Sequence, residues 1–220
     1  MEESEHASVE NNEKLLKVLC VLTGSRYSFD YLYKLKSTVE RNIKIPFEFI
    51  CYTDNQELLA KQDLKTKETI KVGWWGKVDI FKETGPCLFL DLDTIVITDI
   101  TDFAKTIFDL PSDTIRMIYP FKSRKEGWAS GLMAWNGDFK FVFEQFDNKY
   151  IDTYRWDQRY ISFVVNKNNR KIFPIQQVVN ICSYKYHCQR NIPEKVNIIC
   201  FHGVPRPHQV KNSWMEEYWK

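Results

Sequence analysis

The order of the first three hydrophobic segments constrains this chain most. "LLKVLCVLTG" is an apolar run closed by a glycine, "SFDYLYKLKSTVERNI" spaces its apolar residues at the helical period, and "PFEFICYTDN" is a second apolar run ending on a polar turn. Strand, helix and strand in this order predict a right-handed crossover and two parallel neighbours in one sheet. Such a sheet needs cover on both faces and further strands beside it. "GWWGKVDIFKETGP" reads as a helix that turns Trp75, Val78 and Ile80 toward the sheet and stops at Gly85-Pro86, followed by "CLFL" as a central strand. "TIVI", "TIRMIYP" and "KVNIICF" read as strands, and "GDFKFVFEQFDNKY" and "DQRYISFVV" as helices. With 220 residues, 44% of them hydrophobic, the chain can bury one substantial core, and no linker, repeat or low-complexity tract divides it. The expectation is one α/β domain over 15–220, with a mostly parallel central sheet and helices on both faces. The polar, acidic segment 1–14 reads as a flexible tail.

Composition narrows the partners. The formal net charge is +2 with both signs dispersed, so the chain carries no electrostatic footprint for a nucleic-acid backbone, and nucleic acid is not expected. No window approaches the ~18 apolar residues of a membrane span, and the first residues lack the apolar stretch of a signal peptide. The six cysteines sit mostly in apolar contexts, as in Leu19-Cys20-Val21 and Ile199-Cys200-Phe201, which suits buried free thiols and a reducing, cytoplasmic setting. Cys182, His187, Cys188, Cys200 and His202 crowd one region, but their spacing does not match the paired Cys-x-x-Cys ligands of zinc sites. Seven Trp, eleven Tyr and fifteen Phe exceed what a plain core needs, and carbohydrate and base faces are common clients of such rings.

"CLFLDLDTIVITDI" breaks an apolar run with Asp91 and Asp93. Residues two apart in extended backbone point the same way, so the two carboxylates can share a client. They follow a strand, and ligands of open α/β sheets bind outside the carboxyl ends of the strands. Magnesium and manganese are commonly held by one or two carboxylates together with substrate phosphates. Taken alone, the pair is equally a solvated strand end.

A strand, an Asp-x-Asp and a further strand, preceded by "WWGKVDIF" and followed late in the chain by "FHGVPRPH", resemble the GT-A glycosyltransferases that use nucleotide-sugar donors. Within that fold the chain is most similar to the group of glycogenin and the bacterial lipooligosaccharide galactosyltransferases, and to small transferases of capsule and glycan clusters. The resemblance runs from Leu15 to Trp214. It implies Mn2+ or Mg2+ on Asp93, with Asp91 on ribose or metal, Leu92 against the donor, and His202 completing the metal shell. Gly203 and Arg206 would receive the diphosphate, although relatives commonly have a longer gap between the His and the basic residue. Thr23, Tyr27, Tyr52, Thr53 and Asp54 would bind base and ribose, and Trp75 and Lys77 would contact the donor. "WASGLMAW" resembles the sugar-facing strand, with Trp128 and the small pair Ser130-Gly131 beside the hexose. "WDQRYI" supplies Asp157 and Gln158, the pair that lies near the anomeric carbon and carries catalysis. The paired Trp74-Trp75 reads either as core plus rim or as a sugar platform.

The implied activity is metal-dependent transfer of a hexose from a UDP-sugar to a hydroxyl of a glycan, lipid-linked or protein acceptor. A lipid-linked acceptor would bring peripheral membrane contact. Two alternatives stay open: a haloacid-dehalogenase-type phosphatase, and a sugar-nucleotide or glycan-binding domain without catalysis. The phosphatase motif wants Thr or Val four residues after its nucleophilic Asp, whereas Ile95 stands there and Thr94 falls at three.

Overall fold

The computed structural model describes residues 15–71, 73–122, 127–211 and 213–220; the segment 1–14, read as a tail, lies outside them. β1 (Leu16–Leu22), α1 (Phe29–Asn42) and β2 (Phe47–Thr53) form the expected crossover, with the strands parallel from Leu16 opposite Phe47 to Leu22 opposite Thr53. α1 buries Tyr31, Leu32, Leu35 and Val39 on one stripe, and Asp30 in its first turn and Arg41 in its last suit the helix dipole. Next come α2 (Gln56–Leu59), β3 (Lys65–Glu68), a 3-10 helix (Gly73–Lys82), β4 (Gly85–Leu90), β5 (Thr94–Val96), α3 (Thr101–Thr106), β6 (Thr114–Ile118) and β7 (Ala129–Gly137). The chain continues through α4 (Phe141–Glu144), α5 (Lys149–Tyr154), α6 (Asp157–Lys167), β8 (Lys171–Pro174), β9 (Ile181–Ser183), β10 (Ile198–Cys200) and α7 (Ser213–Tyr218).

The central sheet has seven strands in the order β3-β2-β1-β4-β7-β6-β8. It is parallel as expected, except that β7 runs against both β4 and β6. A second sheet, β5-β10-β9, pairs β10 antiparallel to β5 and parallel to β9. Strand alternation sorts the core into two layers. Leu16, Val18, Cys20 and Leu22 of β1 pack with Leu32, Leu35 and Val39 of α1, whereas Leu19 joins Val78 and Phe81 of the 3-10 helix and Tyr160 and Val164 of α6.

Local chemistry moved several expected elements. The segment 73–82 is helical but winds as a 3-10 helix, and Gly85-Pro86 opens β4 instead of forming a separate stop. The helix expected over 137–150 shrinks to the four residues of α4. Asp138 takes the Lys140 N–H at its start, and Asp147 takes the Lys149 N–H and begins α5. Such side-chain bonds compete with helix continuation. Cys20, Cys51, Cys87 and Cys200 are buried free thiols, but Cys182 and Cys188 are paired as a disulfide, contrary to the expectation of free thiols throughout. Among the described residues no helix is long and apolar enough to cross a membrane.

Candidate active site

The carboxyl ends of β1, β4 and β10, the 3-10 helix, the start of β7 and the start of α6 surround one cavity of about 660 Å³, within the size range of small-molecule sites. Asp91 leaves β4 with its N–H on the Gly131 carbonyl at 2.9 Å, which ties it to the neighbouring strand. Gly131 is small for a reason: a Cβ there would lie 3.3 Å from Asp91 Oδ2. Asp91 and Asp93 both line the cavity, but through a tight turn, Thr94 N–H to Asp91 C=O at 3.0 Å, and not through strand alternation. Leu92, between them, is buried on the same wall.

Lys77 is the electrostatic centre of the site. Its buried Nζ lies 2.8 Å from Asp91 Oδ1, 3.2 Å from Ser130 Oγ and 3.6 Å from Asp157 Oδ2. Burial alone would lower its pKa, but the charges of Asp157 and Asp91 hold it above the ordinary value. Ser130 donates its hydroxyl to Asp157 Oδ2 at 2.5 Å, so Asp157, itself buried, is held from two sides. Gln158 follows on the cavity wall.

Asp93 is 6% exposed and accepts a hydrogen bond from the Tyr27 hydroxyl at 2.7 Å. Burial first, and then the charge of Asp91, push its carboxyl up to about 7. His202 enters the same cavity from β10, with Nε2 2.6 Å from Ser183 Oγ and its ring stacked 6.3 Å from Phe121. Among the described residues no three His, Cys, Asp or Glu side chains converge as a ready metal cage. The donor set is still chemically suited to a hard cation. Asp91 and Asp93 bring two carboxylates to one wall, the type of oxygen donor that such an ion combines with phosphate.

The other expected residues divide between wall and support. Thr23 and Tyr27 are on the wall; Thr23 Oγ1 both accepts from Gly73 N and donates to Gly73 O, joining the end of β1 to the 3-10 helix. Trp75 lines the cavity from the core, packed on Phe146 and Tyr160. Gly203 lies on the rim with φ +77°, a left-handed turn that favours glycine. Arg206 is not on the wall: it donates to the Arg26 carbonyl at 2.9 Å and lies over the Tyr27 ring, bracing the loop after β1. Tyr52, Thr53, Asp54 and Trp128 are also off the wall. The Tyr52 hydroxyl donates to Glu83 at 2.7 Å, Thr53 accepts from Asn55 N, Asp54 holds Gly24 N, and Trp128 meets Tyr119 edge-on. Arg26, Phe121, Trp156 and Tyr186 are among the wall residues that were not expected there. Arg26 and Trp156 had a signal in the sequence, their places immediately before Tyr27 and Asp157.

Comparison by sequence finds no matching protein-family profile and no matching curated protein. Comparison by structure finds solved glycosyltransferases. GlyE of Streptococcus pneumoniae TIGR4 matches with a TM-score of 0.65 and 15% identity, over 94% of this chain and 59% of that one. The galactosyltransferase LgtC, in complex with donor and acceptor sugar analogs, matches with a TM-score of 0.60 and 12% identity, over 87% and 88%. The bifunctional glycosyltransferase WbbM matches with a TM-score of 0.54 and 10% identity, over 93% and 51%. The chain thus spans little more than half of GlyE and WbbM, but most of LgtC. At these identities the shared property is the architecture, and the chain has the GT-A fold of these glycosyltransferases.

Proposed function

We propose that this protein is a glycosyltransferase that moves a hexose from a UDP-sugar to an acceptor hydroxyl with the help of Mn2+ or Mg2+. The observation that carries the reading is the placement of Asp91 and Asp93 across one cavity from Asp157 and Gln158, with Lys77 between them. LgtC, of the same fold, is known with donor and acceptor sugar analogs, which supports a nucleotide-sugar client here.

Asp93 and Asp91, with His202 at the edge, would hold the ion, which when bound neutralises negative charge on the departing diphosphate. Lys77 has a second task on the same side. Its buried ammonium, already oriented by two carboxylates, stabilises the leaving group without reorganisation. Thr23 and Tyr27 shape the end of the cavity at β1, where the nucleotide would lie. Asp157 is held by the Ser130 hydroxyl and faces Lys77, so its charge is fixed in place. A carboxylate held this way can stabilise positive charge at the anomeric carbon. Ser130 and Gly131 are small residues on the cavity wall, where the hexose would lie.

Isothermal calorimetry with UDP tests the reading. Binding should require manganese or magnesium, and Asp93→Asn should remove the metal requirement together with most of the affinity. Equal affinity in excess chelator would make Asp91 and Asp93 structural and sink the metal role. Hydrolysis of a UDP-sugar by the metal-loaded protein separates a transferase from a silent binding domain.

A further inference from the structure

Two indoles stand half-exposed where the cavity opens. Trp74 and Trp156 are 43% and 42% exposed, both line the cavity, and their ring centroids are 5.0 Å apart. The backbone holds one of them there at a cost. Trp156 follows Arg155, whose φ of 58° is left-handed, a conformation that residues with a side chain rarely adopt. That kink ends α5 and sets Trp156 over the cavity one residue before Asp157. Trp74 is held from the opposite side, with the Arg26 guanidinium 5.3 Å from its ring centre and 5.9 Å from that of Tyr27. Its chain neighbour Trp75 turns inward to the core, so the tandem pair divides between packing and the mouth of the site.

We infer that Trp74 and Trp156 are a platform for a pyranose ring of the acceptor, so that the acceptor class is a carbohydrate and not a hydroxyl-bearing side chain of a protein. This rests on the sugar-transfer reading above and deepens it. The cavity floor, with two carboxylates and Lys77, suits a metal-bound diphosphate. Among the described residues of the mouth, Arg26 already lies against the rings of Trp74 and Tyr27, and the two indoles, tilted 56° to each other, offer a ligand apolar surface. A pyranose has an apolar face of C–H groups ringed by hydroxyls, which matches indole faces beside the polar Gln158. Trp156 directly precedes Asp157, and both line the same cavity, so a sugar ring resting on Trp156 shares the cavity with that carboxylate.

The test is saturation-transfer NMR with the methyl glycosides of glucose, galactose and N-acetylglucosamine, on the full chain with UDP and manganese. Wild type should transfer saturation to the ring protons of at least one glycoside. Trp74→Ala with Trp156→Ala should weaken that contact by about tenfold or more, and Trp156→Phe, which keeps an aromatic face, should retain part of it. UDP affinity by calorimetry should stay within about twofold in the double variant, which also shows that it is folded. An undiminished glycoside signal in the double variant overturns the inference, and so does a wild type that binds UDP but none of the glycosides. Parallel loss of UDP and glycoside would assign the pair to the donor and overturn it as well. Glycoside binding that depends on both tryptophans, in a protein that does not bind UDP, would support the platform while refuting the nucleotide-sugar reading.

Discussion

Asp93 and Glu83 are two buried carboxyls whose surroundings act in opposite directions. Burial first, and then the neighbouring Asp91 carboxylate, push Asp93 up to about 7; for Glu83, burial pulls upward, but hydrogen bonds from Lys67, Tyr52 and Lys17 outweigh it and bring the carboxyl down to about 2. Crowded carboxylates without a bound cation repel, so Asp93→Asn should melt at the same temperature as wild type or higher in metal-free buffer at pH 8, while losing the rise that UDP with manganese produces. A lower melting point in metal-free buffer would show that Asp93 supports the fold through the Tyr27 bond. For Glu83 the sign is reversed. Its folded value lies below the ordinary 4.5, so its contribution is complete above about pH 4.5 and disappears as the pH falls toward 2. The shift corresponds to about 3 kcal/mol at most, reduced by solvent around the partly exposed lysines. Glu83→Gln should therefore lower the urea midpoint at pH 7, with the gap to wild type closing between pH 4 and pH 2; a gap independent of pH would mean that packing, not charge, is lost. The Asp91 and Asp93 pair was legible because two charges interrupt an apolar run. Spacing did not reveal the surroundings of Tyr52, expected at the donor: it lies off the cavity wall, and its hydroxyl has a buried carboxylate partner 31 residues away.

At the level of elements, the 3-10 helix Gly73–Lys82 binds the site together, because it carries Trp74, Trp75 and Lys77 and is seated against β1. Gly76 makes that seating possible: a Cβ there would lie 2.8 Å from Val21 Cγ1 and 3.2 Å from the Lys71 carbonyl. Gly76→Ala should destabilise by about 1–3 kcal/mol and should also weaken UDP binding, since Lys77 and the Thr23 to Gly73 bonds move with the helix. Chemical denaturation and calorimetry on the same sample check both, and a stable variant with unchanged UDP affinity would show that the helix seats more loosely than its contacts imply. Helix type was not legible. The apolar residues of "GWWGKVDIF" fit any helical winding, whereas the close approach to β1 favours the narrower one. The lost length of the helix expected over 137–150 has a comparable cause, since Asp147 captures the Lys149 N–H, which a continuous helix would have used.

For the whole molecule, the opening strand-helix-strand unit and the largely parallel sheet were readable, because periodicity and connection rules act locally. The order of strands was not, nor was the second sheet. That sheet has a functional place: β5 begins directly after Asp93, β10 ends two residues before His202, and Phe201 N–H bonds the Asp93 carbonyl at 3.2 Å. Ligand binding at Asp93 should therefore be felt in a distant part of the chain. Hydrogen exchange with UDP and manganese should slow amides of β5 and β10 as well as those at the ends of β1 and β4, with Phe201 prominent. Protection confined to β1 and β4 would mean that the small sheet only frames the cavity.

The reversed strand β7 also bears on how the chain reaches its folded state. It is the single link between the four strands β3-β2-β1-β4 and the pair β6-β8, so the seven-stranded sheet is two partial sheets until β7 is inserted. Both of its neighbours must be positioned before it can pair on its two edges, and such long-range closure is slow. Ser130 and Gly131 lie on its leading end, which makes the floor of the cavity a late product of refolding. Early intermediates, even with β1, β2 and β4 assembled, would hold Asp91 with no Gly131 carbonyl to fix it. Recovery of UDP binding should then follow the slowest refolding phase, behind the recovery of helical circular dichroism, and coincident recovery of the two would place β7 among the first strands to pair.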